Sequence, residues 1–198
     1  MHGTQKIGAY WKNIPGYEDR QQCQTCNTTE SMEHILIGCQ EPATRAIWEL
    51  ARNRWPHEDI PWPDISLGTI LGCGAISKRD NRNPTENNAT GPHKAPNGPE
   101  IRLLQILISE SAYLIWALRC ERVIREKRAS RVEIATRWHN AINKRLTVNK
   151  ITATKIKRTA TAEQRVRQTW EKALKIDEDL SNLWLQKKKV LVGRRRGF

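Results

Sequence analysis

C-Q-T-C-N-T-T-E-S-M-E-H-I-L-I-G-C, residues 23–39, holds three of the chain's five cysteines and one of its five histidines. Cys23, Cys26, His34 and Cys39 have the spacing C-x2-C-x7-H-x4-C. Thiolate and imidazole are the ligands that a tetrahedral zinc ion prefers, and a C-x2-C turn sets two thiolates on one side of the metal. Between the ligands, Ser31 is placed to cap a short helix carrying His34. Gly38 is placed to end that helix in the left-handed conformation and return Cys39 to the metal. The spacing therefore predicts a closed, structural Zn2+ site with no open position for a substrate. Three other readings compete. A redox disulfide of the C-x2-C type sits at a βα junction, which the flanking sequence lacks. The cysteines are otherwise free core thiols, the reading given to Cys73 and Cys120, and His34 a lone surface histidine.

The composition outside this segment bears on what such a staple would do. The chain has 198 residues with 38% hydrophobic content, and eight tryptophans against one phenylalanine. That content predicts several small clusters, each anchored by an indole, rather than one large core. A unit below about 70 residues ordinarily needs a metal or disulfide staple to stay folded. No uninterrupted apolar run reaches the ~18 residues of a membrane span, and the N-terminus lacks a signal-peptide pattern. The expected setting is nuclear or cytoplasmic rather than secreted, with no membrane contact, where cysteines favour metals over disulfides.

Residues 77–99, from S-K-R-D-N-R-N-P onward, offer almost no aliphatic side chain to offset the entropy of ordering, and read as a disordered linker. They divide a zinc-binding CCHC module over 1–76 from a basic helical region over 100–198. In the first part, Pro42 suits the first turn of a helix carrying Ala43, Ile47, Trp48, Leu50 and Ala51, and Trp55-Pro56 ends it. In the second, Ile101, Leu104, Ile108, Ile115, Leu118 and Val123 predict a long amphipathic helix over 100–128. Ser130-Arg131-Val132-Glu133 is a capping box that opens the next helix, with a stripe of Val132, Ala135, Trp138, Ile142 and Leu146. Thr161-Ala162-Glu163-Gln164 reads as another capping box, followed by Val166, Trp170, Ala173 and Leu174. The fold class is mainly α.

Several of these residues occur in a pattern that resembles a known family. K-I-G-A-Y-W at 6–11, C-Q-T-C, E-S-M-E-H-I-L-I-G-C and Ile47-Trp48 look like the reverse-transcriptase zinc-binding domain of non-LTR, LINE-like retrotransposon polyproteins. E-S-A-Y-L-I-W-A-L-R-C-E-R and V-L-V-G resemble the tail of fungal polyproteins of that kind, where the domain follows a ribonuclease H. The first resemblance covers roughly residues 6–56. It implies that Cys23, Cys26, His34 and Cys39 hold the metal and that the region binds nucleic acid. The catalytic parts are missing: there is no Y-x-D-D motif, and the one acidic run, Asp177-Glu178-Asp179, reads as a helix surface. The chain is expected not to be an enzyme in itself.

Charge points to the same partner. Residues 1–70 carry six basic and nine acidic side chains, whereas residues 101–198 carry 24 basic and nine acidic. Such asymmetry indicates contact with a polyanion. The candidate RNA- or DNA-binding residues are Lys155, Lys157, Arg158, Arg165 and Arg167, then Lys187, Lys188 and Lys189, then Arg194, Arg195 and Arg196, acting through phosphates. The metal loop has no aromatic between its ligands, so contacts fall to Tyr10, Trp11 or Tyr17, which otherwise read as core residues, or to the basic half. The alternative is a zinc-stabilised protein–protein interaction module in which helix 100–128 pairs with a partner or with a second copy.

Overall fold

The computed structural model describes residues 5–75, 98–155, 159–174, 184–185 and 192. Among them the chain is helical, with two isolated bridges and no strand. Pro42–Arg54 forms α1, Leu67–Leu71 a short α2, Gly98–Arg125 α3, Arg131–Lys155 α4 and Thr159–Trp170 α5. The mainly helical class expected from the sequence is what the molecule has.

Local chemistry sets several of the boundaries. Pro42 opens α1 where its missing N–H costs no hydrogen bond, and Trp55, ahead of Pro56, is extended and closes it. Ser130 accepts from the Glu133 N–H at 3.2 Å and so caps α4 as the S-R-V-E pattern predicts. Thr161 does not cap α5, which begins two residues earlier at Thr159. The last residues assigned to the linker, Gly98 and Pro99, form the first turn of α3, a position that tolerates proline. The rest of 77–97 lies outside the described residues.

α3 is the axis of the molecule, with α1, α4 and α5 packed around it. It was expected to be amphipathic, but it buries side chains on nearly all sides. Ile101, Leu103, Leu104, Ile106, Leu107 and Ile108 are buried in succession, and Leu114, Ile115 and Leu118 follow. A helix apolar all round is a core helix or a membrane span. By length and composition α3 would suit either, and in this structure its neighbours cover 56% of its most apolar stretch. That stretch also amends the expectation that no segment is long and apolar enough to span. Of the large apolar side chains on α3, Tyr113 and Ile124 are exposed.

Among the described residues the core is one cluster, not several. Ile35, Leu36, Ile47, Ala51 and Ile70 from the first segment join Leu103, Leu107, Trp138, Ile142, Leu146, Trp170 and Trp184 from the second. Described residues from both 1–76 and 100–198 contribute to this core. On α4 the stripe runs through Ile134, Trp138, Ile142 and Leu146, while Val132, expected inside, is 77% exposed. Trp138 is buried whole because its indole N–H finds Ser111 Oγ at 2.9 Å.

Candidate metal centre

Two backbone devices bring the four ligands together. The first is a tight loop over residues 23–28. Asn27 N–H donates to Cys23 O at 2.7 Å, and Cys23 N–H donates to Thr28 O at 2.8 Å. Asn27 takes φ +53°, a left-handed conformation that asparagine tolerates better than most residues. The loop turns Cys23 and Cys26 to one side. Its flank lies against Gly8, where a Cβ would stand 2.2 Å from the Glu30 carbonyl oxygen, so only glycine allows this approach.

The second device carries His34 and Cys39. Ser31 Oγ accepts from the His34 N–H at 3.0 Å, the cap expected from the sequence. The turn that follows, His34–Gly38, is π-helical rather than α-helical. Along an α-helix, five residues rotate by about 500°, which would leave positions 34 and 39 roughly 140° apart. The wider i→i+5 turn brings them closer to alignment, and such turns concentrate at functional sites. Gly38 is not left-handed, contrary to expectation, because the π turn already returns Cys39, which leaves in extended backbone. The Trp48 indole N–H donates to Leu36 O at 2.7 Å and pins this turn to α1.

The result is a quartet whose ligand atoms all lie within 4.8 Å of one another. Cys23 Sγ and Cys26 Sγ lie 3.6 and 3.9 Å from Cys39 Sγ. A disulfide needs about 2.05 Å, whereas a tetrahedron with Zn–S bonds of about 2.3 Å has edges of about 3.8 Å. The cysteines are free. His34 Nδ1 lies 3.5 Å from Thr28 Oγ1, and Nε2 is buried without a hydrogen-bond partner. A metal ion would satisfy that orphaned atom, with Thr28 fixing the ring from behind. Gln40 N–H donates to Cys26 Sγ at 3.2 Å, stabilising a thiolate there.

The electrostatics favour a cation. Burial opposes ionisation of Cys23, but the surrounding polar groups, the backbone at Cys26 and Thr25 among them, outweigh it and lower the thiol to about 6. Burial, with Cys23 alongside, pushes Cys39 up to about 12. One thiolate forms readily and its charge resists the next. A bound divalent ion removes that repulsion and lets the remaining thiols ionise.

Around the quartet runs a buried charged network that the sequence reading missed. Glu30 is held by Arg119, whose Nε donates to Glu30 Oε2 at 3.0 Å and whose Nη2 makes a second, closer contact. Arg122 lies 3.8 Å from Glu30 and 3.6 Å from Glu41. Thr25, inside the C-x2-C turn, donates to Glu41 Oε2 at 2.6 Å and accepts from Arg122 Nη1 at 3.4 Å. The metal loop is thereby tied to α3 and to the start of α1.

Three of the candidate nucleic-acid residues fall among the described residues. Lys155 ends α4, and Arg165 and Arg167 lie on α5. Lys157, Arg158, Lys187, Lys188, Lys189, Arg194, Arg195 and Arg196 lie outside the described residues, as does Asp177-Glu178-Asp179. Tyr10 and Tyr17 are about half exposed beside Trp11, with Arg20 over the Tyr17 ring at 4.4 Å. Comparison with known protein families, with curated proteins and with solved structures finds no match for this chain.

Proposed function

We propose that the metal is zinc and that the chain is a nucleic-acid-binding accessory segment of a non-LTR retrotransposon reverse transcriptase, non-catalytic in itself. The observation that carries the reading is the closed Cys3His quartet, whose sulfur spacings match the edges of a zinc tetrahedron. All four coordination positions are filled by protein, which suits a structural ion and leaves no place for substrate. Charge supplies the partner. The excess of basic side chains in residues 101–198 favours phosphate contact over sequence reading. The resemblance of residues 6–56 to the zinc-binding domain of these elements supports the same assignment.

Two measurements on the full chain test it. Metal analysis of reduced protein is expected to return one zinc per chain, reduced or lost in His34→Ala. Affinity for single-stranded RNA or DNA is expected to fall steeply as KCl rises. Metal-free protein whose circular dichroism is unchanged by a chelator would overturn the zinc assignment. Undetectable binding to either nucleic acid at low salt would overturn the functional one.

A further inference from the structure

Away from the metal, α3 and α5 frame a groove of about 580 Å3 whose walls include Arg102, Gln105, Thr161, Gln164, Arg165 and Gln168. No carboxylate is among the described residues that line it. Arg102 reaches it half-buried, with its Nη2 donating to Asn149 Oδ1 on α4 at 3.0 Å, so the guanidinium is held in place. Arg165 is exposed on α5. Burial, with the Arg165 and Arg145 guanidiniums nearby, holds Arg102 below the ordinary arginine value. Arg145 faces Glu110 at 3.8 Å, so its charge is partly offset outside the groove.

Two cations in one groove, one of them half withdrawn from water, repel each other until an anion enters. The type of anion follows from the rest of the lining. Guanidinium forks match phosphate oxygens two at a time. Glutamine amides and a threonine hydroxyl add neutral donors and acceptors of the kind that meet phosphate and sugar oxygens. Among the described residues no aromatic ring lines the groove, so these side chains give a base no ring to stack on.

We propose that this α3–α5 groove seats the phosphodiester backbone of a nucleic-acid strand, with Arg102 and Arg165 as phosphate ligands and Gln164 and Gln168 fixing the path of the strand. The proposal rests on the nucleic-acid reading above and gives it an address on the helical body rather than on the metal loop.

The test uses the full zinc-loaded chain and fluorescently labelled RNA and DNA strands of about 20 nucleotides, followed by anisotropy over a KCl series. Arg165→Ala, at an exposed position, is expected to weaken both strands and to reduce the salt slope by about 1. Gln164→Ala/Gln168→Ala is expected to weaken binding with the slope unchanged, because no charge is lost. Lys12→Ala, on the metal-binding segment, controls for net charge and is expected to keep the original slope. Thermal melts matching the unaltered chain confirm that the variants fold. If unaltered protein binds strands but both groove variants behave like it, the groove assignment is wrong and the nucleic-acid reading stands. If unaltered protein binds neither strand, both fall together.

Discussion

Glu30 faces Arg119 and Arg122, and all three side chains are almost fully withdrawn from solvent. Removing one partner from such a set leaves buried charge without compensation, at about 3–5 kcal/mol. Glu30→Gln is therefore expected to lower unfolding stability by about 3 kcal/mol or more, read by denaturant titration at fixed zinc. Glu121→Gln makes the comparison. Glu121 accepts two hydrogen bonds of 2.7 Å from Arg137, but near the surface, where such pairs contribute about 1 kcal/mol or less. The Arg137 hydrogen bond holds the Glu121 carboxyl below its usual value. Its contribution is thus complete at neutral pH and is lost as pH falls through that depressed value. Equal losses for the two substitutions would show that Glu30 is not the stronger anchor. The stripe read from the sequence ran from Leu118 to Val123 and passed over the one signal this network leaves there. Leu104, Ile108, Ser111, Ile115 and Leu118 step along α3 at helical spacing, and the next position is Arg122, a charge on a buried stripe. Its partner was not visible, because Arg119 and Glu30 are 89 residues apart and only the folded chain brings them together.

At the scale of elements, legibility followed local chemistry. α1 and α4 start where Pro42 and Ser130 predict, because a missing N–H and a capping hydroxyl act within one turn. The four metal ligands were legible for the same reason: their spacing is a local property. The π turn at His34–Gly38 was not, because an extra residue per turn leaves no compositional mark and follows from what both ends must reach. α3 was misread as amphipathic because amphipathicity presumes one buried face, and three helices cover this one. That coverage has an energetic consequence. Ile108 has no exposed surface. Ile108→Ala is expected to cost about 2–5 kcal/mol, because neighbours packed on several sides cannot collapse into the space. Val132→Ala, at an exposed position, is expected to change stability by less than about 0.5 kcal/mol. Comparable losses at both positions in a denaturant titration would contradict the central placement of α3.

For the whole molecule, the single core is the feature that composition argued against. A modest apolar fraction spread over 198 residues suggested scattered clusters. The chain instead draws its apolar side chains from both segments into one place. Trp138, Trp170 and Trp184 join that place rather than nucleating their own. The metal site and the helical body are consequently coupled through shared contacts. Stripping the ion is expected to loosen the Glu30–Arg119 anchor along with the loop, and hydrogen exchange of α3 before and after chelation would report it. There is also a consequence for covalent continuity. The described segments 5–75 and 98–155 meet through interlocked side chains and a caged ion pair. Two separately translated polypeptides, one ending near Ala75 and the other starting near Gly98, are therefore expected to find each other and co-purify as a stoichiometric heterodimer, much as a nicked enzyme keeps its shape.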